Sequence, residues 1–352
     1  MYGVYLEQLG ICKGAYLNME LAPIFKKAYG LLAFVGFLYI LGVFSLTYPS
    51  VQRMVLYVNQ FNPTYFQDVN DAEYFGFLKS QIQPFNIRTP DNETLYAWHI
   101  VPPRLFKDNE AAFLANASSG PAEDVTKTIA FNLLAQDPNA RVVLNLHGNA
   151  AHLGSGYRPQ MYRSFLAAST PKHPVHVIAF DYRGFGKSTG SPTEEGLITD
   201  ALSLINYLTS PPLSIHPSRI VVAGQSLGTA VAAGVVERYT FDDPSSVPEP
   251  LAGVIVFAPF SNIHTVNPWL NGHGVYEAAI GGPNARVLGS YVHEYASDDE
   301  VVQVKVWEKN LSTNSAEKRV KRVRWERVRY GGHNAVAATT TATLSVIRMF
   351  EK

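Results

Sequence analysis

Of 352 residues only one is a cysteine. Cys12 therefore has no partner for an intrachain disulfide, and a cysteine-rich metal site is excluded. Charge of either sign is not in excess: 29 Lys and Arg balance 29 Asp and Glu, and charged residues make up only 16% of the chain. A balanced chain has no long-range field to gather polyanions, so no nucleic-acid partner is expected. No internal repeat or low-complexity tract is present, which argues against a solenoid or a disordered scaffold. What the chain does have is hydrophobic residues, 47% of the total, enough to bury one large core.

Charge is missing altogether from "AYGLLAFVGFLYILGVFSLTYPSVQ", residues 28–52. A helix of that length crosses roughly 30 Å of hydrocarbon at about 1.5 Å per residue. The long leader before it, and the lack of a small-residue cleavage pattern after it, predict a retained anchor over 28–50 and not a cleaved signal peptide. Lys26 and Lys27 precede the segment and no basic residue follows until Arg53, so the charge bias puts residues 1–27 in the cytosol. The remainder is then expected in a lumen, that of the endoplasmic reticulum, or outside the cell, with the bilayer as a partner. Three Asn-x-Ser/Thr sequons, at Asn92, Asn116 and Asn310, agree with an expected glycoprotein.

Residues 51–84 read as a linker, and from residue 85 onward strands alternate with helices. The runs "VVLNLHG" (142–148), "VHVIAFD" (175–181), "IVVAGQS" (220–226) and "GVIVFAP" (253–259) are short, apolar and closed by turn formers, which is the pattern of buried parallel strands. Between them, "SPTEEGLITDALSLINYLTS" places Leu197, Ala201, Leu204 and Leu208 on one helical face, with Ser191, Pro192 and Glu194 as a start signal. An α/β class with a mostly parallel sheet flanked by helices follows. Residues 102–140, including "ANASSGPAED", read as a mobile insertion.

Chemistry concentrates at "GQSLG", residues 224–228. A Gly-x-Ser-x-Gly between a strand and a helix is a nucleophile elbow, in which the glycines permit the tight turn that lifts the Ser226 oxygen off the sheet. Acyl transfer also needs N–H donors aimed at the developing oxyanion. Leu227, directly after the serine, is the expected first donor. The glycine-rich turn "HGNAAHLGSG" supplies the second, from Asn149 or alternatively Ala150. His147 precedes the serine and reads as a turn residue, not the base. "DYRGFGKSTGSP" lacks both a Walker lysine pattern and a Gly-x-Gly-x-x-Gly helix start, so Asp181 and Arg183 read as ties within a turn. The basic run 317–329 reads as a sheet strand, and its cations would favour anionic lipid.

"HGNA", "DYRGFGKS", "GQSLG" and "FAPF" together resemble the α/β-hydrolase superfamily, and with the anchor and "YAWHIVPP" the chain is most similar to the membrane-anchored α/β-hydrolase-domain lipases, the branch of lysophosphatidylserine and monoacylglycerol lipases. The resemblance implies an α/β-hydrolase fold over 85–352 and a triad in the order serine, acid, histidine. His333 in "RYGGHNAV" matches the family's histidine loop. The acid matches less well: "YVHEYASDDEVVQ" has one extra residue after His293 and Gln303 where the family has proline. Asp299 aligns best, with Asp298 the alternative, and residues 262–296 are short for the family's cap. The implied activity is hydrolysis of a lipid ester through an acyl-enzyme, with no metal and no organic cofactor. A non-catalytic module with a degenerate acid loop, and a protein thioesterase, are the alternatives.

Overall fold

A computed structural model of the chain describes residues 23–60, 67–117, 119–241, 249–258, 300–308, 319–327 and 335–351, with only the backbone for 240–241, 300–308 and 319–327. The chain divides into two compact units, Met1–Gln52 and Arg53–Lys352. In the first, helix α1 (Pro23–Ser45) has 23 residues, a mean hydropathy of 2.0 over its most apolar stretch and no buried residue. At about 1.5 Å per residue it is long enough to cross a bilayer. It begins five residues before the uncharged segment and so includes Lys26 and Lys27. Helix α2 (Pro49–Tyr57) follows.

The second unit is built on one sheet. Its elements in chain order are β1 (Ile82–Arg88), β2 (Thr94–Ile100), α3 (Pro103–Asp108), α4 (Glu110–Ala115), α5 (Ile129–Gln136), β3 (Arg141–Leu146), α6 (Arg158–Leu166), β4 (Val175–Phe180), α7 (Glu194–Thr209), β5 (Ile220–Gln225), α8 (Leu227–Phe241), β6 (Gly253–Phe257), β7 (Glu300–Glu308), β8 (Arg319–Arg327) and α9 (Thr340–Phe350). The described strands run in the order β1-β2-β4-β3-β5-β6-β7-β8. The central β4, β3, β5 and β6 are parallel, and antiparallel pairs extend them on both sides.

Alternation along the central strands sends side chains to two cores. Val142, Leu144, Leu146, Ile220 and Val222 pack under α5, α7 and α8. Val143, Val177, Val221, Ala223 and Phe257 pack under α6 and α9. Both faces are covered, which is why these strands read as unbroken apolar runs.

Three expectations change. Helix α7 is capped two residues beyond Ser191: Thr193 is its N-cap, its Oγ1 accepting from the Gly196 N–H at 3.0 Å, and Glu194 is the first helical residue. Residues 51–84 are not simply a linker, because Tyr57, Val69, Phe75, Phe77 and Ile82 are buried in the second unit. Likewise residues 102–140 hold three helices, and Phe106, Phe113 and Ala130 form a small core of their own. In both stretches the buried residues are spaced irregularly, without a period-2 or period-3.6 signal. The cap region 262–296 and sequon Asn310 lie outside the described residues, while Asn92 and Asn116 are exposed.

Candidate active site

Strand β5 ends at Gln225 and helix α8 begins at Leu227, so the entire reversal of chain direction falls on Ser226. Its φ is +50°, a left-handed conformation that side chains rarely adopt and that persists where the surroundings impose it. Those surroundings are specific. The Ser226 N–H donates to the Phe257 carbonyl (3.1 Å), and its carbonyl accepts from the N–H and Oγ1 of Thr229 at 2.8 and 2.6 Å. The glycines are required for close approach. A Cβ on Gly228 would lie 2.0 Å from the Leu146 oxygen, and one on Gly224 would lie 2.3 Å from the Gly228 oxygen. The first turn of α8 is therefore seated directly on the end of β3. Ser226 is half-buried in a stretch, 220–229, whose other residues are all buried.

The turn after β3 lies alongside. A Cβ on Gly148 would be 3.4 Å from the Ser226 Cβ. Ala150 and Ala151 both have positive φ, +64° and +56°. The Ala150 N–H donates to the Tyr57 carbonyl at 3.2 Å, whereas the N–H groups of Asn149 and Leu227 have no hydrogen-bond partner among the described residues. Of the two expected second donors, then, the Asn149 amide is available among the described residues and that of Ala150 is not. The Asn149 side chain is tied back by its Nδ2, which donates to the Leu56 carbonyl at 2.7 Å. The positive end of the α8 dipole adds to the field at the serine.

Beneath this turn is a buried polar cluster. His147 is fully buried, its Nδ1–H donates to the Gly148 carbonyl (2.7 Å), and its Nε2 is 3.7 Å from Asp181 Oδ1. Burial and the Arg158 guanidinium hold it neutral, well below the ordinary histidine range. A neutral imidazole sealed in this way holds the turn and does not exchange protons with substrate. Asp181 accepts the Leu153 N–H at 2.6 Å, and burial pushes its carboxyl up to about 7. Arg183 binds Asp200 and Asp91, joining the next loop to α7 and to the β1–β2 turn.

Asp298, Asp299 and His333 lie outside the described residues. The register of their neighbours is described. Gln225 pairs with Phe257, Phe257 with Val301, and Glu300 with Arg327. The start of β7 and the end of β8 are therefore at the sheet edge where Ser226 sits. Sequence reasoning missed Arg158, the bond from Asp181 to the Ser226-side turn, and the carbonyls of Leu56 and Tyr57, because no motif marks a residue that serves a loop through backbone contacts.

The profile of the alpha/beta hydrolase family matches residues 142–343, more than half of the chain. The chain belongs to that family. Lysophosphatidylserine lipase ABHD12 of Danio rerio is 30% identical over 61% of this chain and 48% of its own length. Its counterpart in Mus musculus is 27% identical over 61% of this chain and 46% of its own length. The match thus spans about half the length of these curated relatives. Among solved structures, an alpha-beta hydrolase from Vibrio vulnificus is 18% identical, with 70% of this chain and 68% of that one covered at a TM-score of 0.40.

Proposed function

We propose that the protein is a membrane-anchored serine hydrolase that cleaves the carboxylic ester of a single-chain lipid, a lysophospholipid or monoacylglycerol. The observation that carries this reading is the half-buried Ser226 at φ +50°, flanked by the Leu227 and Asn149 amides that no other described group uses. The naming of the relatives as lysophosphatidylserine lipases agrees with it. The Ser226 hydroxyl attacks the ester carbonyl while His333 takes its proton. The carbonyl oxygen becomes an oxyanion held by the two amides. Collapse expels the alcohol, which receives the proton from His333, and leaves an acyl-enzyme. Water, deprotonated by His333, then attacks the acyl group and frees the fatty acid and Ser226.

Asp299, or alternatively Asp298, orients His333 in this scheme. Support comes from the register: the chain enters β7 one residue after Asp299 and leaves β8 six residues before His333, both at the edge of Ser226. A carboxylate preceding a strand departs from the family's pattern of one following a strand. If neither aspartate serves, the reading as a non-catalytic module gains. No metal or organic cofactor enters the scheme.

The preference for one acyl chain rests on extraction. Each methylene taken from the bilayer costs about 0.8 kcal/mol, so a second chain roughly doubles the cost of reaching the site. Matched one-chain and two-chain lipids in detergent-free vesicles test this. Faster fatty acid release from the one-chain lipid is expected. Faster release from the two-chain lipid, or release from water-soluble esters or thioesters alone, contradicts it.

A further inference from the structure

Arg158, the first residue of α6, is buried, and among the described residues no carboxylate lies within ion-pair distance of it. Burying a guanidinium costs several kcal/mol unless its donors are satisfied. Here Nη1 and Nη2 both find acceptors in one loop. Nη2 lies within hydrogen-bonding distance of the carbonyl oxygens of Gly148 (2.8 Å), Asn149 (2.8 Å) and Ala150 (2.9 Å), and Nη1 donates to that of His152. The cation thus gathers the carbonyls of consecutive peptides to one side.

A trans peptide is planar, with its C=O and its N–H pointing in opposite directions. Holding the Gly148 carbonyl therefore fixes the direction of the Asn149 N–H, away from Arg158. The same carbonyl also accepts from His147 Nδ1, so two donors grip it. Meanwhile the positive φ values of Ala150 and Ala151 show that the loop is held away from its relaxed conformation. Positive charge behind the peptide further polarises it in the sense that favours negative charge in front of its N–H.

Building on the hydrolase reading, we propose that Arg158 is a positioning residue that aims the Asn149 N–H at the oxyanion. Its contribution is made in the transition state, because the ester carbonyl of bound substrate carries little charge.

The test compares Arg158→Lys with Arg163→Lys. Arg163 is on the same helix, but its guanidinium binds the Phe75 and Gly76 carbonyls and none of the loop carbonyls that Arg158 holds. A lysine keeps the charge and loses the fork that spans several carbonyls. Arg158→Lys is expected to lower kcat about a hundredfold with KM within about threefold. A trifluoromethyl ketone inhibitor, which binds as a hemiketal oxyanion, should weaken in the same ratio as kcat. Arg163→Lys should lower the melting temperature and leave kcat unchanged. If Arg158→Lys does not fold, Arg158→Ala with added methylguanidinium replaces it, and recovery of kcat with methylguanidinium but not methylammonium supports the proposal. A folded Arg158→Lys with wild-type kcat, a rise in KM alone, or no guanidinium-specific recovery overturns it. Wild-type protein that neither hydrolyses esters nor labels at Ser226 overturns the hydrolase reading itself, and the proposal falls with it.

Discussion

Gly228 occupies a position with room for no side chain, since a methyl group there would meet the Leu146 oxygen at 2.0 Å. Both contacting groups are backbone, so neither can rotate away. Gly228→Ala is expected to lower stability by about 1–3 kcal/mol or more, measured by denaturant unfolding, and wild-type stability would contradict this seating of α8 on β3. A second residue-scale expectation concerns pH. His99 and His176 are buried and bonded Nε2 to Nδ1 at 2.9 Å, and burial pushes His99 down to about 3 and His176 well below its ordinary range. Burial pushes His152 down to about 4 and His147 well below its ordinary range. Below pH 6.5, the ordinary histidine value, the unfolded chain binds protons that the folded chain refuses. The histidine contribution to stability is therefore intact above that pH and lost as pH falls toward 4. Asp181, raised to about 7, acts in the opposite sense and offsets part of it. Melting temperature should fall as pH drops from 6.5, and the paired change His99→Phe with His176→Leu should flatten the fall. An unchanged slope in that variant would show that the pair titrates in the fold as it does in the unfolded chain, against the lowering described.

At the scale of elements, the segment from Arg53 onward is part of the second unit. The Leu56 carbonyl accepts from the Asn149 side chain, the Tyr57 carbonyl accepts from the Ala150 N–H, and Asn59 Nδ2 donates to the Gly184 carbonyl at 2.6 Å. A variant lacking residues 1–52 should fold and hydrolyse a soluble ester at the full-length kcat. One lacking residues 1–60 should show a lower kcat and a lower melting temperature, and equal kcat for the two would contradict the role of this strap. The strap was illegible in the sequence because carbonyl acceptors carry no residue signature. By contrast, the four parallel strands and α7 were legible, since burial on two faces or one writes a run or a stripe into the sequence. Ser226 was legible because its turn demands glycines on both sides. The cap of α7 was misplaced because Ser191 and Thr193 are equally able to accept an N–H, and the choice is made where the chain enters the helix.

For the whole molecule, the account combines an N-terminal helix able to cross a membrane with a family fold in the rest of the chain. The lysines at the start of that helix predict a lumenal hydrolase unit. Expression with microsomes should then add glycans at the exposed Asn92 and Asn116, read as a shift reversed by endoglycosidase and lost in Asn92→Gln/Asn116→Gln, while residues 1–22 stay open to protease. Protection of the N-terminus with no glycan would reverse the topology. The central claim is that Ser226 is a nucleophile activated by His333, and activity-based labelling tests it most directly. Purified full-length protein treated with a serine-directed fluorophosphonate should be labelled on Ser226, with labelling abolished in Ser226→Ala and in His333→Ala; labelling that survives Ser226→Ala, or none in folded wild-type protein, contradicts the account.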